Sequence, residues 1–320
     1  MSGAIDNAAQ TRTETETLVT VGQRRRDRRR SRGLSERFET ALGWRSSSWV
    51  SRILRIAAAL VILYVFAAPI FTIIAGAFDL NADPTRLTLW PANLSLRNFQ
   101  VASEQGIWGF FWNSIVIAGG GLLLQTLVAV TAGYALARHR FRGQAFVMGL
   151  FLATMMLPEE LVAVPLAVVL GDLPLVGVNL RGTIFAIILP VAASAFAILV
   201  MTAFMRDIPD ELEEAARIDG AGDLRVLFQV ILPLCKPALG VVTIFGFIGI
   251  WDQYLLPLIA ANSADDYTVT VALSSLRADV ETGTGVLLAG AFLALVPSLV
   301  VYLLLQKSLV TGITTGAVKG

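Results

Sequence analysis

Three carboxylates stand in stretches of sequence that are otherwise apolar: Glu159 and Glu160 within residues 143–170, and Asp252 within residues 237–264. A charge at such a place is costly and faces protein or water rather than lipid, so it marks a path or a contact. Glu159 lies 16 residues after Gly143 and Asp252 lies 15 after Pro237. In helices that start on the same side, at about 1.5 Å per residue, both carboxyls reach a depth of about 22 to 24 Å. Trp251 and Tyr254 stand beside Asp252. Carboxylates and aromatic faces suit a neutral polyhydroxylated solute, so Glu159, Glu160, Trp251, Asp252 and Tyr254 form a candidate solute path. The competing reading is that Pro158 breaks the helix, leaving Glu159 and Glu160 at the outer interface or paired with a basic residue of another subunit. From the residues alone both stand.

Other chemistries are excluded by what is scarce. Cys235 and His139 are the lone members of their types, too few soft ligands for a zinc site and too few histidines for a triad that needs more than one. A single cysteine forms no intramolecular disulfide. No G-x-x-x-x-G-K-[ST] run occurs, so this chain does not itself cradle nucleotide phosphates. The apolar blocks offer no paired aspartates at plausible geometry and no Ser-His couple, which removes an intramembrane enzyme. The expectation is a protein without catalytic or metal residues. His139, between Arg138 and Arg140, reads as a solvated topology residue.

One polar passage, residues 205–233, is more than a short loop. Ile208 and Pro209 lead in, Asp210 is placed to cap, and Glu213 three residues later completes a capping-box pattern, so a helix is expected from Glu211. Its first turn is acidic, as the helix dipole favours. Gly220 supplies a left-handed terminator after Asp219, Gly222 frees the next turn, and Asp223 caps a second helix running toward Pro233. Leu212, Ala215, Ala216 and Ile218 give the first helix a small, apolar face beside Glu214 and Arg217. Small residues admit another backbone closely, and a carboxylate at the rim pairs with a partner's arginine. The alternative is an interfacial helix lying on headgroups.

The elements that must position these groups follow from composition. The chain has 320 residues, 55% hydrophobic and only 15% charged, with a mean hydropathy of +0.69. Soluble domains carry about 25% charged residues, so this chain lacks the polar surface to cover itself in water. Charge-free runs cover 56–78, 105–137, 182–205 and 282–306, each long enough for a spanning helix of about 20 residues. With the two blocks that hold Glu159, Glu160 and Asp252, six transmembrane helices are expected, at about 56–78, 113–137, 144–170, 182–205, 237–262 and 283–306. A barrel is excluded because strict alternation is missing. Trp108, Phe110, Phe111 and Trp112 read as an interfacial belt, and Gly119, Gly120 and Gly121 as a close helix crossing.

With both termini inside, 21 Lys and Arg fall on the cytoplasmic side against 4 outside, the bias expected of cytoplasmic loops. The domain reading is therefore a basic cytoplasmic tail over 1–52, an all-α membrane domain over 53–306 with a cytoplasmic loop at 206–236, and a cytoplasmic tail over 307–320. The six arginines between Arg24 and Arg30 carry no chemical assignment; they read as a disordered, topology-setting tail near membrane lipid, with nucleic acid not expected. No signal peptide is expected, since no short apolar core lies in the first 30 residues.

Glu214-Ala215-Ala216, then three residues, Gly220, then nine residues and Val230-Ile231-Leu232-Pro233 resembles the EAA loop of bacterial ABC importer permeases, E-A-A-x3-G-x9-I-x-L-P, with Val230 for the usual isoleucine. The runs SLRNF (95–99), FWNSI (111–115), AGYALAR (132–138), FRG (141–143), WDQYLLP (251–257) and GITTGAVKG (312–320) are similar to the carbohydrate-uptake branch, and to the smaller permease of maltose transporters. The resemblance covers roughly 53–320. It implies the type I importer permease fold in a bacterial inner membrane. It also implies a heterodimer with a homologous second permease, two copies of a separate ABC ATPase holding ATP and Mg, and an extracytoplasmic solute-binding lipoprotein. No cofactor is expected on this chain. The loop would be a coupling helix seated in the ATPase, Glu214 making the charged contact, Ala215 and Ala216 packing closely and Gly220 giving the bend, with Asp219, Leu232 and Pro233 in the same motif; 315–320 is a secondary contact. The function implied is half of the translocation path for a sugar or related solute. The alternative is an ion-gradient-driven secondary transporter or channel, in which the membrane acids would be ion sites.

Overall fold

The computed structural model describes residues 49–83, 89–174, 176–278 and 283–317, the side chains at 50, 51, 277, 278 and 307–317 excepted. The arginine cluster at 24–30 and Lys319 lie outside the described residues. The chain divides into two units, Met1–Ala67 and Ala68–Gly320. In the first, the described part belongs to one helix, α1 (Trp49–Ala77), which starts ahead of the expected 56. From residue 52 to 66 its apolar side chains are exposed all round, Leu60 at 59% and Phe66 at 74%. That pattern belongs to a helix in hydrocarbon rather than water.

The second unit holds the last turns of α1 and twelve further helices among the described residues. They are α2 (Arg97–Glu104), α3 (Ile107–Arg138), α4 (Gln144–Met156), α5 (Glu159–Gly171), α6 (Phe185–Ala192), α7 (Ala195–Arg206), α8 (Asp210–Ile218), α9 (Asp223–Leu234), α10 (Lys236–Trp251), α11 (Leu255–Ala260), α12 (Val269–Ala278) and α13 (Thr284–Ala317). No strand forms among the described residues; two isolated bridges, Asp79 with Leu94 and Leu173 with Val178, staple loops. Among the described residues, four helical stretches are long and apolar enough to cross a membrane, and six if each of two bent pairs counts as one.

Helix α3 is the centre of this unit. Gly106, at φ +82°, turns the chain into it, so it begins before the expected Asn113. Its small residues let other helices approach. A Cβ on Gly133 would lie 2.8 Å from the Met201 Cβ and 3.2 Å from the Thr202 backbone nitrogen, so α3 and α7 cross almost backbone to backbone. Gly120 and Gly121 make room for the side chains of Ile188 and Val191, but Gly119 faces open space and takes no part in the crossing. Two apolar clusters sit along α3. One gathers Ile117, Ile187, Phe247, Ile250, Trp251 and Leu256. The other gathers Val130, Tyr134, Ile198, Met201, Val226, Ile231 and Val242. The aromatic belt splits: Trp108 and Trp112 are exposed, whereas Phe111 packs edge-on to Trp251, centroids 5.7 Å apart.

Three expected spans are not single rods. The block 144–170 bends by 107° between α4 and α5. Pro158 has no N–H and holds Leu157 in extended backbone (φ −79°, ψ 126°), so the helix ends there. The block 182–205 breaks at Ala193 and Ser194, where the Ser194 hydroxyl accepts from the Ala197 N–H at 3.4 Å and starts α7 afresh. The block 237–262 is interrupted at 252–254, between α10 and α11, and α10 is bent by 82° from α9 at Cys235. At the other end, α13 runs to Ala317, past the expected limit of 306, so the region read as a tail continues the last helix.

Outside the spans, the Asp79 carboxylate gathers the loop after α1. It accepts from the backbone N–H groups of Ala92 at 2.7 Å, Asn81 at 3.1 Å and Asn93 at 3.4 Å. These donors, Ala92 first, hold its pKa below the ordinary 3.8. Asn98 donates to the carbonyls of Ala77 at 3.1 Å and Asp79 at 2.8 Å, satisfying the open end of α1.

Candidate functional site

The loop after α7 folds as helix, glycine turn and helix. Helix α8 ends in a Schellman arrangement: Gly220 N–H donates to Arg217 O, Ala221 N–H donates to Ala216 O, both at 3.0 Å, and Gly220 sits at φ +81°. A residue with a Cβ would strain that backbone, which is why the position is glycine. Gly222 opens α9. The middle of α9, Val226–Ile231, is wound as a π-helix just ahead of Pro233. Proline lacks the N–H for the next helical bond and its ring crowds the carbonyl four residues back, and a wider turn relieves both.

The expected capping box does not form. The cap position is Pro209, the helix begins at Asp210, and neither acid closes on the backbone there. Both reach toward the end of α3 instead. Glu213 is 8% exposed. Its Oε1 accepts from the Tyr134 hydroxyl at 2.9 Å and from Arg217 Nη2 at 2.8 Å, and its Oε2 lies 3.4 Å from Arg138 Nε. Arg138 also bonds Asp210 and donates to the Ile208 carbonyl at 2.8 Å. Arg217 reaches on to Asp223. Bonds to Glu213 first, then Asp223, raise the Arg217 pKa further above its ordinary value, so it is charged at any working pH. A buried carboxylate is tolerable because Tyr134 and Arg217 donate to it and the Arg138 charge lies beside it.

This inward clamp sets which side of α8 faces out. Glu214 and Ala215 are exposed, as are Leu212 at 44% and Ile218 at 86%. Leu224, on α9, is 70% exposed. Ala216 is half-buried and packs on the second apolar cluster with Leu232. Asp219 and Gly220 form the exposed turn, and Pro233 is exposed at the bend before Cys235. The face is apolar and small with a carboxylate at its rim, which is a surface for a partner with a complementary cleft. Sequence reasoning named Glu213 only as a cap; the signal it held was a second carboxylate next to Glu214, with Tyr134 and Arg138 four residues apart on one face of α3.

The five candidate solute-path residues are not brought together. Glu159 and Glu160 are exposed in the first turn of α5. Glu159 Oε1 accepts from Gln253 Nε2 at 2.8 Å, so the partner of this acid is the neighbour of Asp252, not Asp252. Asp252 is exposed at the end of α10. Tyr254 is 41% exposed and accepts from the Ser274 hydroxyl at 3.3 Å. Trp251 is part of the core: it is 3% exposed, stacks on Phe247 at 5.5 Å and donates its indole N–H to the Ala294 carbonyl at 3.0 Å. The reason is that α10 ends at Trp251, so residues 251–254 point in unrelated directions. Two recesses adjoin here. One of about 170 Å³ is walled by Glu159, Leu166 and Gln253; the other, of about 400 Å³, by Gln125, Ser194 and Gln253. Among the described residues no His, Cys, Asp and Glu group is arranged to hold a metal.

Known proteins give this geometry a context. The family described as "Binding-protein-dependent transport system inner membrane component" matches residues 125–308. The arabinooligosaccharides transport system permease protein AraQ of Halalkalibacterium halodurans is 31% identical over 81% of this chain and 93% of its own length. The melibiose/raffinose/stachyose import permease protein MelC of Bacillus subtilis is 31% identical over 84% and 97%. Among solved structures, a chain of a bacterial ABC transporter involved in import of the acidic polysaccharide alginate superposes with a TM-score of 0.68 at 25% identity, covering 81% of this chain and 98% of that one. Since the family match spans more than half of the chain and includes both the α8 loop and the recesses, this protein belongs to the inner membrane components of binding-protein-dependent transport systems.

Proposed function

We propose that this chain is one of two permease subunits of an ATP-driven importer for a carbohydrate, with both termini in the cytoplasm. It pairs with a homologous second permease, and together they sit on two copies of an ABC ATPase that holds ATP and Mg. An extracytoplasmic binding protein delivers the solute. The observation that carries the reading is α8: Glu213 clamps it from within to Tyr134 and Arg138 of α3, and the clamp leaves Glu214, Ala215, Leu212 and Ile218 outward. A helix held rigidly on one side and open on the other transmits a push into the bundle, and the clamp hands that push to α3. Rigid rocking of helices about a central site is the expected form of alternating access. Carbohydrate is supported by the names of the relatives.

The test is Glu214→Lys in the assembled transporter, followed by uptake and by ATP hydrolysis stimulated by the loaded binding protein. A fall of both by tenfold or more is expected, because a cation replaces the carboxylate at the docking rim. Uptake and stimulated hydrolysis at the level of the parent protein would overturn the coupling role. Uptake that persists without ATPase and collapses with the ion gradient would turn the reading to a secondary transporter.

A further inference from the structure

The recess of about 400 Å³ is lined by Gln125 of α3, Ser194 at the α6–α7 break, Phe196 of α7, Phe245 and Gly246 of α10, and Gln253. Gln125 is 3% exposed and lines this space, with its amide packed beside Gly246. Gln253 gives one N–H to Glu159 at 2.8 Å, and its Oε1 is buried without a partner. Buried amides are almost always hydrogen-bonded, and leaving one unpaired is costly. An unpaired amide oxygen on Gln253 and a second amide on Gln125, both on one recess in an apolar bundle, mark a place where something else supplies bonds. Gln125 lies 13 residues before the end of α3, roughly 20 Å along the helix and so near the bilayer midplane.

We infer that Gln125 and Gln253 form this subunit's own solute subsite, binding the hydroxyls of a neutral sugar. The inference rests on the carrier reading above and names the residues and ligand chemistry of its path. A carboxamide both donates and accepts, as a hydroxyl does, and carries no charge that would favour ions. Glu159, bonded to Gln253 Nε2, orients that amide as a positioning residue. Phe196 and Phe245, edge to face at 5.5 Å, supply an apolar wall for the C–H face of a sugar ring. Gly246 leaves the room: a Cβ there would lie 2.9 Å from Gln125 Nε2 and 3.0 Å from Leu122 Cδ1. The volume lies within the range of about 300 to 1,000 Å³ usual for small-molecule sites.

The experiment uses the full transporter in proteoliposomes with a panel of radiolabelled neutral sugars, glucose, raffinose and arabinotriose, and with single-deoxy analogues of whichever is imported fastest. Gln125→Leu, Gln253→Leu and the double variant should each lower uptake about tenfold. They should also erase the parent's preference for the sugar over one deoxy analogue, which a change in folding would not do. Gln125→Asn should restore part of the uptake, and Gly246→Ala should lower it where Gly119→Ala does not. If the double variant imports at the parent rate with the same deoxy preference, the subsite is overturned while the carrier reading stands. If the parent imports no sugar of the panel and its ATPase ignores the loaded binding protein, the carrier reading itself falls, and this inference with it.

Discussion

The Tyr134 hydroxyl donates to Glu213 Oε1 at 2.9 Å, joining residues 79 positions apart. One lies on the last turns of a membrane helix and the other on the loop helix α8. The bond is buried, and Arg138, four residues on from Tyr134, lies 3.4 Å from the other oxygen of the same carboxylate. Helix α8 therefore moves with the end of α3.

Removing Glu213 should be far worse than removing Asp223. Glu213→Ala leaves Arg138 without a buried counter-charge and Tyr134 without its acceptor and should cost about 3 to 5 kcal/mol; Tyr134→Phe should cost about 1.5 to 3 kcal/mol, as for a bond to a charged group. Asp223 is 54% exposed at its side chain, and Asp223→Ala should cost under about 1 kcal/mol. Thermal unfolding in nanodiscs reads the ranking; equal shifts for all three would remove Glu213 from its central place.

The α3–α7 crossing should reject any side chain at Gly133. Gly133→Ala places a methyl 2.8 Å from the Met201 Cβ and 3.2 Å from backbone, and should destabilise by about 1 to 3 kcal/mol. Gly119→Ala, facing open space, should be neutral or gain slightly from helix propensity. Melting temperatures of the two variants side by side decide it.

The outward face of α8 should matter to assembly and not to the lone chain. Ile218 is 86% exposed, so Ile218→Glu should change the stability of the isolated subunit by no more than about 0.5 kcal/mol. Co-purification of the ATPase should drop severalfold in the same variant. Full recovery of the ATPase would move the docking surface elsewhere.

Asp79 should make the loop after α1 sensitive to acid. Its folded pKa is lowered, chiefly by the Ala92 N–H, then by those of Asn81 and Asn93. A lowered carboxylate contributes stability that is complete above its unfolded value near 3.8 and is lost as pH falls through the lower folded value. Protection factors at Ala92 and Asn93, corrected for intrinsic exchange, should hold at neutral pH and fall below pH 3.8. Asp79→Ala should show the same loss already at neutral pH.

What the linear chain determined by itself is local or compositional. Apolar runs longer than a membrane is thick must become buried or lipid-facing helices, so the existence of long apolar helices, the acidic start of α8 and the left-handed turn at Gly220 were legible. The proline at 158 even announced a break, though not a bend of 107°. Tertiary structure decided what depends on which faces meet. Glu213 gave up a cap for Tyr134 and Arg138 because α3 passes within reach of α8. Trp251 became core and Gln253 came to Glu159 because α10 stops between them, and a helix end scatters neighbours that a continuous helix would have aligned. Gln125 is one glutamine in an apolar run until Gly246 of another helix opens the space beside it. Contacts between helices are set by packing shape, which residue types and spacing along one helix do not encode.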